Sequence, residues 1–165
     1  MTERNTDPAP ISSGKYPAPK RYVFLLLPGF SHLSFTCAVE ALSLANYSAR
    51  ERDYYSWKLV SDGGDPVSGW NGVTLQVDSD LTELSRHDTL VVCAGLNVAT
   101  AASKRVLNWL RRETRKGMDF GAMNSGAYVL ALAGLVDNKR VTAHWEYHSA
   151  LTEMLPDVQM QDTIY

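Results

Sequence analysis

The sequence has few cysteines, no long apolar run and little excess charge. Its 165 residues include two cysteines, Cys37 and Cys93, each within an apolar stretch. That number excludes a disulfide framework and predicts reduced thiols in the core of a cytoplasmic protein. No segment approaches the roughly 18–20 apolar residues that span a bilayer, and the N-terminus has no signal-peptide hydrophobic region. Sixteen basic and 18 acidic residues give a net charge of −2, which argues against a basic nucleic-acid-binding domain.

Motifs for metal or nucleotide chemistry are also missing. The four histidines and two cysteines show no zinc-ligand spacing. His144 and His148 are four residues apart, but the sequence around them lacks the glutamate of a metalloprotease helix. Neither a Walker motif nor a dinucleotide-binding glycine pattern is present. We therefore expect no metal and no cofactor.

Residues 1–20 differ from the rest of the chain. They contain four prolines and only scattered apolar side chains, so they cannot bury enough surface to offset the entropy lost on ordering. We predict a flexible tail over 1–20 and a single domain over 21–165. Hydrophobic residues make up 45% of the sequence and charged residues 21%, which is typical of a globular domain.

Within this domain, short apolar runs alternate with helical patterns. Strands are predicted over 22–27, 57–61, 73–77, 89–93, 118–123, 141–143 and 158–164. Helices are predicted over 35–48, 100–116, 127–135 and 144–155, the first with Ser34 as N-cap and the second with Gly117 as C-cap. The alternation predicts an α/β fold with a doubly wound, mainly parallel sheet and helices on both faces. The last strand stops at Tyr165 with nothing to cover it, so we expect the domain to be incomplete at its C-terminus.

The first candidate for chemistry is Glu40, in the middle of the first predicted helix. Its neighbours one helical turn away carry no charge; they are Thr36, Cys37, Ser43 and Leu44. A carboxylate on such a face is predicted to be buried, and a buried carboxylate requires a partner or a role. The alternative is a partly exposed glutamate at the edge of the helix.

The second candidate is the turn over 123–126, between a predicted strand and a predicted helix. Such a turn projects the side chain of Asn124 over the carboxyl ends of the strands, where open α/β sheets bind ligands. The N–H groups of Ser125 and Gly126 could hold an anion there. Asparagine is not a nucleophile, and Met123 breaks the hydrolase pattern G-x-S-x-G. Ser125 is therefore favoured as a turn or capping residue.

Three further residues complete the candidate ligand-binding set. Gly95 ends the predicted strand over 89–93, and His144 and Trp145 begin the last predicted helix. His144 could equally be structural, and a core position is favoured for Trp145. The predicted helix over 100–116 is strongly basic, through Lys104, Arg105, Arg111, Arg112, Arg115 and Lys116. A solvated outer face is favoured for it, with DNA or membrane contact as the alternative.

Six segments together resemble a known family. They are LLLPGF at 25–30, AVEALSLAN at 38–46, YSWKLVS at 55–61, DTLVVCAG at 88–95, GAMNSGAYVLALAGL at 121–135 and VTAHWE at 141–146. In this order they resemble the N-terminal domain of AraC-family transcriptional regulators that carry a class I glutamine-amidotransferase-like (PfpI-like) sensor. The resemblance implies a flavodoxin-like fold. It also implies that Glu40 matches a supporting glutamate, Asn124 the cysteine of the enzymes, and His144 their histidine.

The resemblance therefore implies a sensor rather than an enzyme. Asparagine cannot form the covalent intermediates of a thiolate. We expect a non-catalytic, dimeric, cytoplasmic domain without membrane contact. The resemblance implies that it binds an amino-acid-derived or quaternary-amine metabolite such as arginine, carnitine or glycine betaine. The cation of such a ligand could lie against Trp145 or another aromatic residue, with Glu40 offsetting its charge. It also implies that DNA is bound by a helix-turn-helix domain beyond residue 165. The alternatives are a PfpI-like hydrolase using Ser125, His144 and Glu40, and a dimerisation module with a vestigial pocket.

Overall fold

A computed structural model describes residues 17–143, 145–154 and 158–161. Most of the predicted tail therefore lies outside the described residues, as do His144 and the end of the last predicted strand. The predicted incompleteness of the domain stays a prediction. Within the described part of the chain, no helix is both long and apolar enough to cross a membrane.

The centre of the fold is a five-stranded sheet in which every neighbouring pair is parallel. Its strands are β1 (Lys20–Leu26), β2 (Tyr55–Ser61), β5 (Ser79–Asp80), β6 (Thr89–Cys93) and β7 (Asp119–Met123). They lie side by side in the order β5-β2-β1-β6-β7. The predicted parallel α/β sheet is thus confirmed.

Helices cover both faces of this sheet. They are α1 (His32–Ala49), α2 (Val98–Ala101), α3 (Lys104–Thr114), α4 (Gly126–Leu132) and α5 (Trp145–Met154). Alternate residues of β1 point to opposite sides, so Phe24 and Leu26 pack with α1, whereas Val23 and Leu25 pack in the core that α3 and α4 share. A strand buried on both faces needs apolar residues at every position, which explains the continuous run in β1.

Three helix boundaries differ from the prediction. The N-cap of α1 is Ser31, whose Oγ accepts the N–H of Ser34 at 3.4 Å, so Ser34 lies inside the helix. The helix predicted over 100–116 is divided, because Ala102 is extended and Ser103 caps a separate α3. The C-cap of α3 is Arg115 rather than the predicted Gly117, which lies two residues further on with φ +77°.

Two strand predictions also need correction. The strand predicted over 73–77 is one arm of a short antiparallel hairpin formed by β3 (Val67–Ser68) and β4 (Thr74–Leu75). The strands predicted near 141 and 158 form β8 (Arg140–Val141) and β9 (Gln159–Met160), which pair in parallel with each other as a separate sheet.

Most of the basic residues in α3 and in the turn that follows it stabilise the fold. Arg105 binds Asp62 and Asp80, and its hydrogen bonds lower the pKa of the Asp80 carboxyl. Arg111 donates to the carbonyl oxygens of Leu132 and Ala133, which end α4 without intrahelical partners. Lys116 and Arg112 bind the buried carboxylate of Glu113. These contacts favour the structural interpretation of this helix over DNA or membrane contact.

Candidate functional site

The turn between β7 and α4 has the geometry that the sequence predicts for a ligand-binding turn. Asn124 occupies the left-handed region, with φ +55°. Asparagine tolerates this conformation better than most residues because its short polar side chain can bond locally. Its Oδ1 accepts the N–H of Ser125 at 2.8 Å. The Asn124 side chain is thereby held at the carboxyl end of the sheet.

A cavity of about 330 Å³ lies beside Asn124. It is lined by Ser31, Leu33, Trp70, Gly95, Leu96, Asn124 and Tyr147. These residues come from the start of α1, from the segments that follow β6 and β7, from the hairpin and from α5. Among the described lining residues there is no carboxylate and no basic side chain. The cavity therefore offers aromatic and aliphatic surface with a few polar groups.

Ser125 is a structural residue in this arrangement. It is buried, and its hydroxyl donates to the carbonyl oxygen of Gly95 at 2.5 Å. A hydroxyl that is removed from the cavity in this way gives no support to the alternative in which Ser125 acts as a nucleophile. The Ser125 N–H is also occupied by Asn124, so it is not available to an anion as the sequence suggested.

Gly95 and Gly126 let the backbone pass closely at this edge of the sheet. A Cβ on Gly95 would lie 2.1 Å from the Gly29 carbonyl oxygen, and one on Gly126 would lie 2.4 Å from that of Val92. Both distances are far below a van der Waals contact. Gly95 lines the cavity, whereas the buried Gly126 fixes the packing of α4 against β6.

The prediction that Glu40 lies on a buried face is wrong. Glu40 is exposed, and so are Thr36, Cys37, Ser43 and Leu44 around it. The physical reason is that α1 packs on the sheet through its other side, with Phe35, Ala38, Val39 and Leu42. Glu40 does not line the cavity, so the juxtaposition with Asn124 that the resemblance implied is not found.

The two cysteines also differ from one another. Cys93 is buried as predicted, and burial raises the pKa of its thiol to about 12, so it is unsuited to nucleophilic chemistry. The prediction that Cys37 lies in the core is wrong, because it lies on the exposed side of α1. Neither cysteine lines the cavity.

Two predicted site residues cannot be placed at the cavity. His144 lies outside the described residues, and only the backbone of Trp145 is described, at the start of α5. Their roles stay predictions.

Sequence reasoning missed five lining residues, which are Ser31, Leu33, Trp70, Leu96 and Tyr147. Trp70 lies in the sequence GWNG, where a large aromatic residue between turn formers was the available signal. Tyr147 packs against Tyr128 of α4, with ring centroids 5.8 Å apart. The aromatic character of the cavity thus depends on tertiary contacts that no local pattern shows.

The parallel five-stranded sheet with helices on both faces places the chain in the flavodoxin-like, glutamine-amidotransferase-like class of α/β proteins. Within that class the chain belongs to the DJ-1/PfpI family, whose pattern matches residues 20–162. The expected family resemblance is thereby confirmed.

Its relatives include transcriptional regulators. The chain is 39% identical over 142 residues to the HTH-type transcriptional regulator CdhR of Pseudomonas aeruginosa, covering 86% of this chain and 42% of that protein. It is 31% identical over 147 residues to GbdR, another HTH-type regulator of Pseudomonas aeruginosa, covering 89% and 40%. The crystal structure of an AraC-family transcriptional regulator from Pseudomonas putida is similar, with 31% identity, a TM-score of 0.72, and 88% and 77% covered. The chain thus spans about two fifths of the length of these two curated relatives.

Proposed function

We propose that this chain is the ligand-sensing part of an AraC-type transcriptional regulator, which binds a small molecule beside Asn124 without altering it chemically. The observation that carries the proposal is the cavity at the turn between β7 and α4, which is lined by Asn124 and by aromatic and aliphatic side chains. The regulators to which the chain is similar support it. In the whole protein, acting in the cytoplasm, a helix-turn-helix domain beyond residue 165 would bind DNA.

The lining of the cavity favours a quaternary-amine metabolite among the expected ligands. A primary ammonium or guanidinium group needs carboxylates or carbonyl groups to replace its water, and no acidic side chain is among the described lining residues. A trimethylammonium group has no N–H to satisfy and is attracted to aromatic faces. Trp70 and Tyr147 supply such faces, and the side-chain nitrogen of Asn124 would donate to a ligand carboxylate.

Calorimetric titration of the chain with glycine betaine, carnitine and arginine tests this proposal. We expect the two quaternary amines to bind. Leu33→Trp should weaken their binding at least about tenfold, because the larger side chain fills part of the cavity. Leu44→Trp is the matched control, because Leu44 is also exposed on α1 but does not line the cavity.

Two results would contradict the proposal. One is the absence of binding by all three compounds, and the other is equal affinity in the wild-type protein and the Leu33→Trp variant. Glu40→Ala should leave binding unchanged, because Glu40 is exposed away from the cavity.

We further propose that α1 mediates self-association with a second copy of the chain. Its exposed side carries Leu33, Cys37, Leu44 and Tyr47, spaced by whole helical turns, with Glu40 as the charged residue among them. An apolar stripe on an exposed helix marks an interaction surface. A second copy is favoured as occupant because a nearly uncharged stripe is complementary to itself about a two-fold axis.

A further inference from the structure

Building on the proposed function, we infer that the β3–β4 hairpin forms the side of the cavity that recognises the ligand. Trp70 at its tip contacts the ligand, and His32 is the residue that positions it. Neither residue belongs to the turn at Asn124.

The hairpin is fastened to the segment that joins β1 and α1. The Gly29 N–H donates to the Ser68 carbonyl oxygen at 2.9 Å, and the Trp70 N–H donates to that of Phe30 at 3.3 Å. His32 adds a side-chain contact, in which Nε2 donates to the Val73 carbonyl oxygen at 2.8 Å. Both arms of the hairpin are therefore held from one side.

The tip of the hairpin is shaped around the His32 ring. A Cβ on Gly69 would lie 2.2 Å from Cδ2 of His32, so glycine is required for the imidazole to pass beneath the turn. The ring also packs on Phe30, with centroids 4.5 Å apart. Phe30 is buried, and the Gly69 N–H donates to the Val73 carbonyl oxygen within the turn. The His32 ring therefore links the buried Phe30 to a hydrogen-bonded turn.

Trp70 is the side chain that the hairpin turn contributes to the cavity. It lines the cavity, yet 62% of its surface is exposed. Burial in the core therefore does not explain a tryptophan at the tip of a firmly attached turn. Tryptophan is the strongest aromatic partner for a cation, and its attraction to a cation increases when both are desolvated. A trimethylammonium group between Trp70 and Tyr147 would cover this exposed surface.

The experiment compares two ligands of the same shape and different charge. Glycine betaine carries a quaternary nitrogen where 3,3-dimethylbutanoate carries a carbon atom. By calorimetry and tryptophan fluorescence, the wild-type protein should prefer glycine betaine by about tenfold. Trp70→Leu should abolish this preference, and Trp70→Phe should retain part of it. Trp57→Leu is the control, because Trp57 lies on β2 and does not line the cavity.

The positioning role of His32 is tested by rescue. His32→Ala should weaken glycine betaine binding by a factor similar to that of Trp70→Leu and reduce the fluorescence change on binding. His32→Gln should restore much of both, because its amide nitrogen can donate to the Val73 carbonyl oxygen. His87→Ala is the control, since His87 is exposed and does not line the cavity.

The outcomes separate this inference from the proposed function. If none of the titrated compounds binds, the sensor proposal fails and the inference fails with it. If glycine betaine binds the wild-type protein, Trp70→Leu and His32→Ala equally well, only the inference is overturned. Binding of arginine without glycine betaine would likewise overturn the inference and leave a sensor of another ligand class.

Discussion

At the scale of single residues, Asn124 stabilises the turn after β7 in two ways. It holds a left-handed backbone and accepts the Ser125 N–H. Asn124→Ala should therefore lower the free energy of unfolding by about 1–2 kcal/mol, because alanine tolerates the left-handed conformation less well than asparagine and the hydrogen bond is lost. Asn124→Gly should cost less, since glycine removes the strain. Urea denaturation measures both.

Asn138 provides the comparison for Asn124. It has a similar backbone conformation, with φ +57°, but is exposed and does not line the cavity. Asn138→Ala should cost only the backbone strain, about 1 kcal/mol. Equal losses in the two alanine variants would show that the Asn124 side chain contributes nothing beyond its backbone preference.

A substitution at Gly95 tests whether its backbone must pass close to that of Gly29. Gly95→Ala places a methyl group 2.1 Å from the Gly29 carbonyl oxygen, so β6 and the segment after β1 must separate. We expect a loss of more than about 2 kcal/mol in thermal or urea unfolding. Gly121→Ala in β7 is the control, since its Cβ would meet nothing within 4 Å. A Gly95→Ala variant as stable as the control would contradict the observed packing.

Only part of the candidate site could be predicted from the amino-acid sequence. Asn124, Ser125 and Gly95 follow directly from the strand-to-turn pattern, because strand ends in a parallel sheet meet at one edge. Glu40 was misplaced because helical spacing does not say which side of a mixed helix packs on the sheet. The side with Phe35 and Val39 buries more apolar surface, and this decides the orientation of α1.

At the scale of elements, the buried carboxylate of Glu113 ties α3 to the segment before β6. It accepts the Leu84 N–H at 2.9 Å, Lys116 Nζ at 2.7 Å and Arg112 Nε at 2.7 Å. Burial raises the pKa of Glu113, but these hydrogen bonds lower it more, so the net pKa lies below its ordinary value. Because the folded-state pKa is depressed, the stabilisation is complete above the unfolded pKa and is lost as pH falls through the folded-state value.

Glu113→Gln should therefore be less stable than the wild-type protein by about 1.5–3 kcal/mol at pH 7. The difference should shrink as pH falls below the ordinary glutamate pKa and through the depressed pKa of the folded-state carboxyl, where the wild-type side chain becomes protonated. Unfolding curves between pH 3 and 7, at intervals of about one unit, measure this. Glu83→Gln is the control, because Glu83 contacts the same Lys116 but is exposed. A pH-independent difference would contradict the pKa assignment.

The long elements could be predicted, whereas the bounds and pairing of the short ones could not. The strands β1, β6 and β7 and the helices α1 and α4 are marked by apolar runs that packing on a sheet requires. The β3–β4 hairpin has two residues per strand and depends on bonds to Gly29, Phe30 and His32, which are distant in sequence. Ala102 divides the helix predicted over 100–116 through its extended backbone, which helix propensity does not indicate.

At the scale of the whole molecule, the strand order explains why the site combines distant segments. β1 lies between β2 and β6, and β7 follows β6, so the ends of β1, β6 and β7 meet at one edge. The Phe30–Gly95 bridge joins two of these ends, and Asn124 lies beyond the third. The alternation of strands and helices predicts a parallel sheet, but it does not predict which strands lie side by side. The order of the strands decides which segments meet at the cavity.

The proposed self-association is also a property of the whole molecule. It can be tested by substitutions in the exposed apolar stripe of α1. Leu44 and Tyr47 are 60% and 84% exposed. Sedimentation analysis should find a dimer whose dissociation constant rises at least about tenfold in Leu44→Glu, because a charge would be buried at the interface. Val73→Glu is the control, since Val73 is 53% exposed on the hairpin rather than on α1. A wild-type monomer, or equal effects of the two variants, would overturn this assignment and point to another occupant of the stripe.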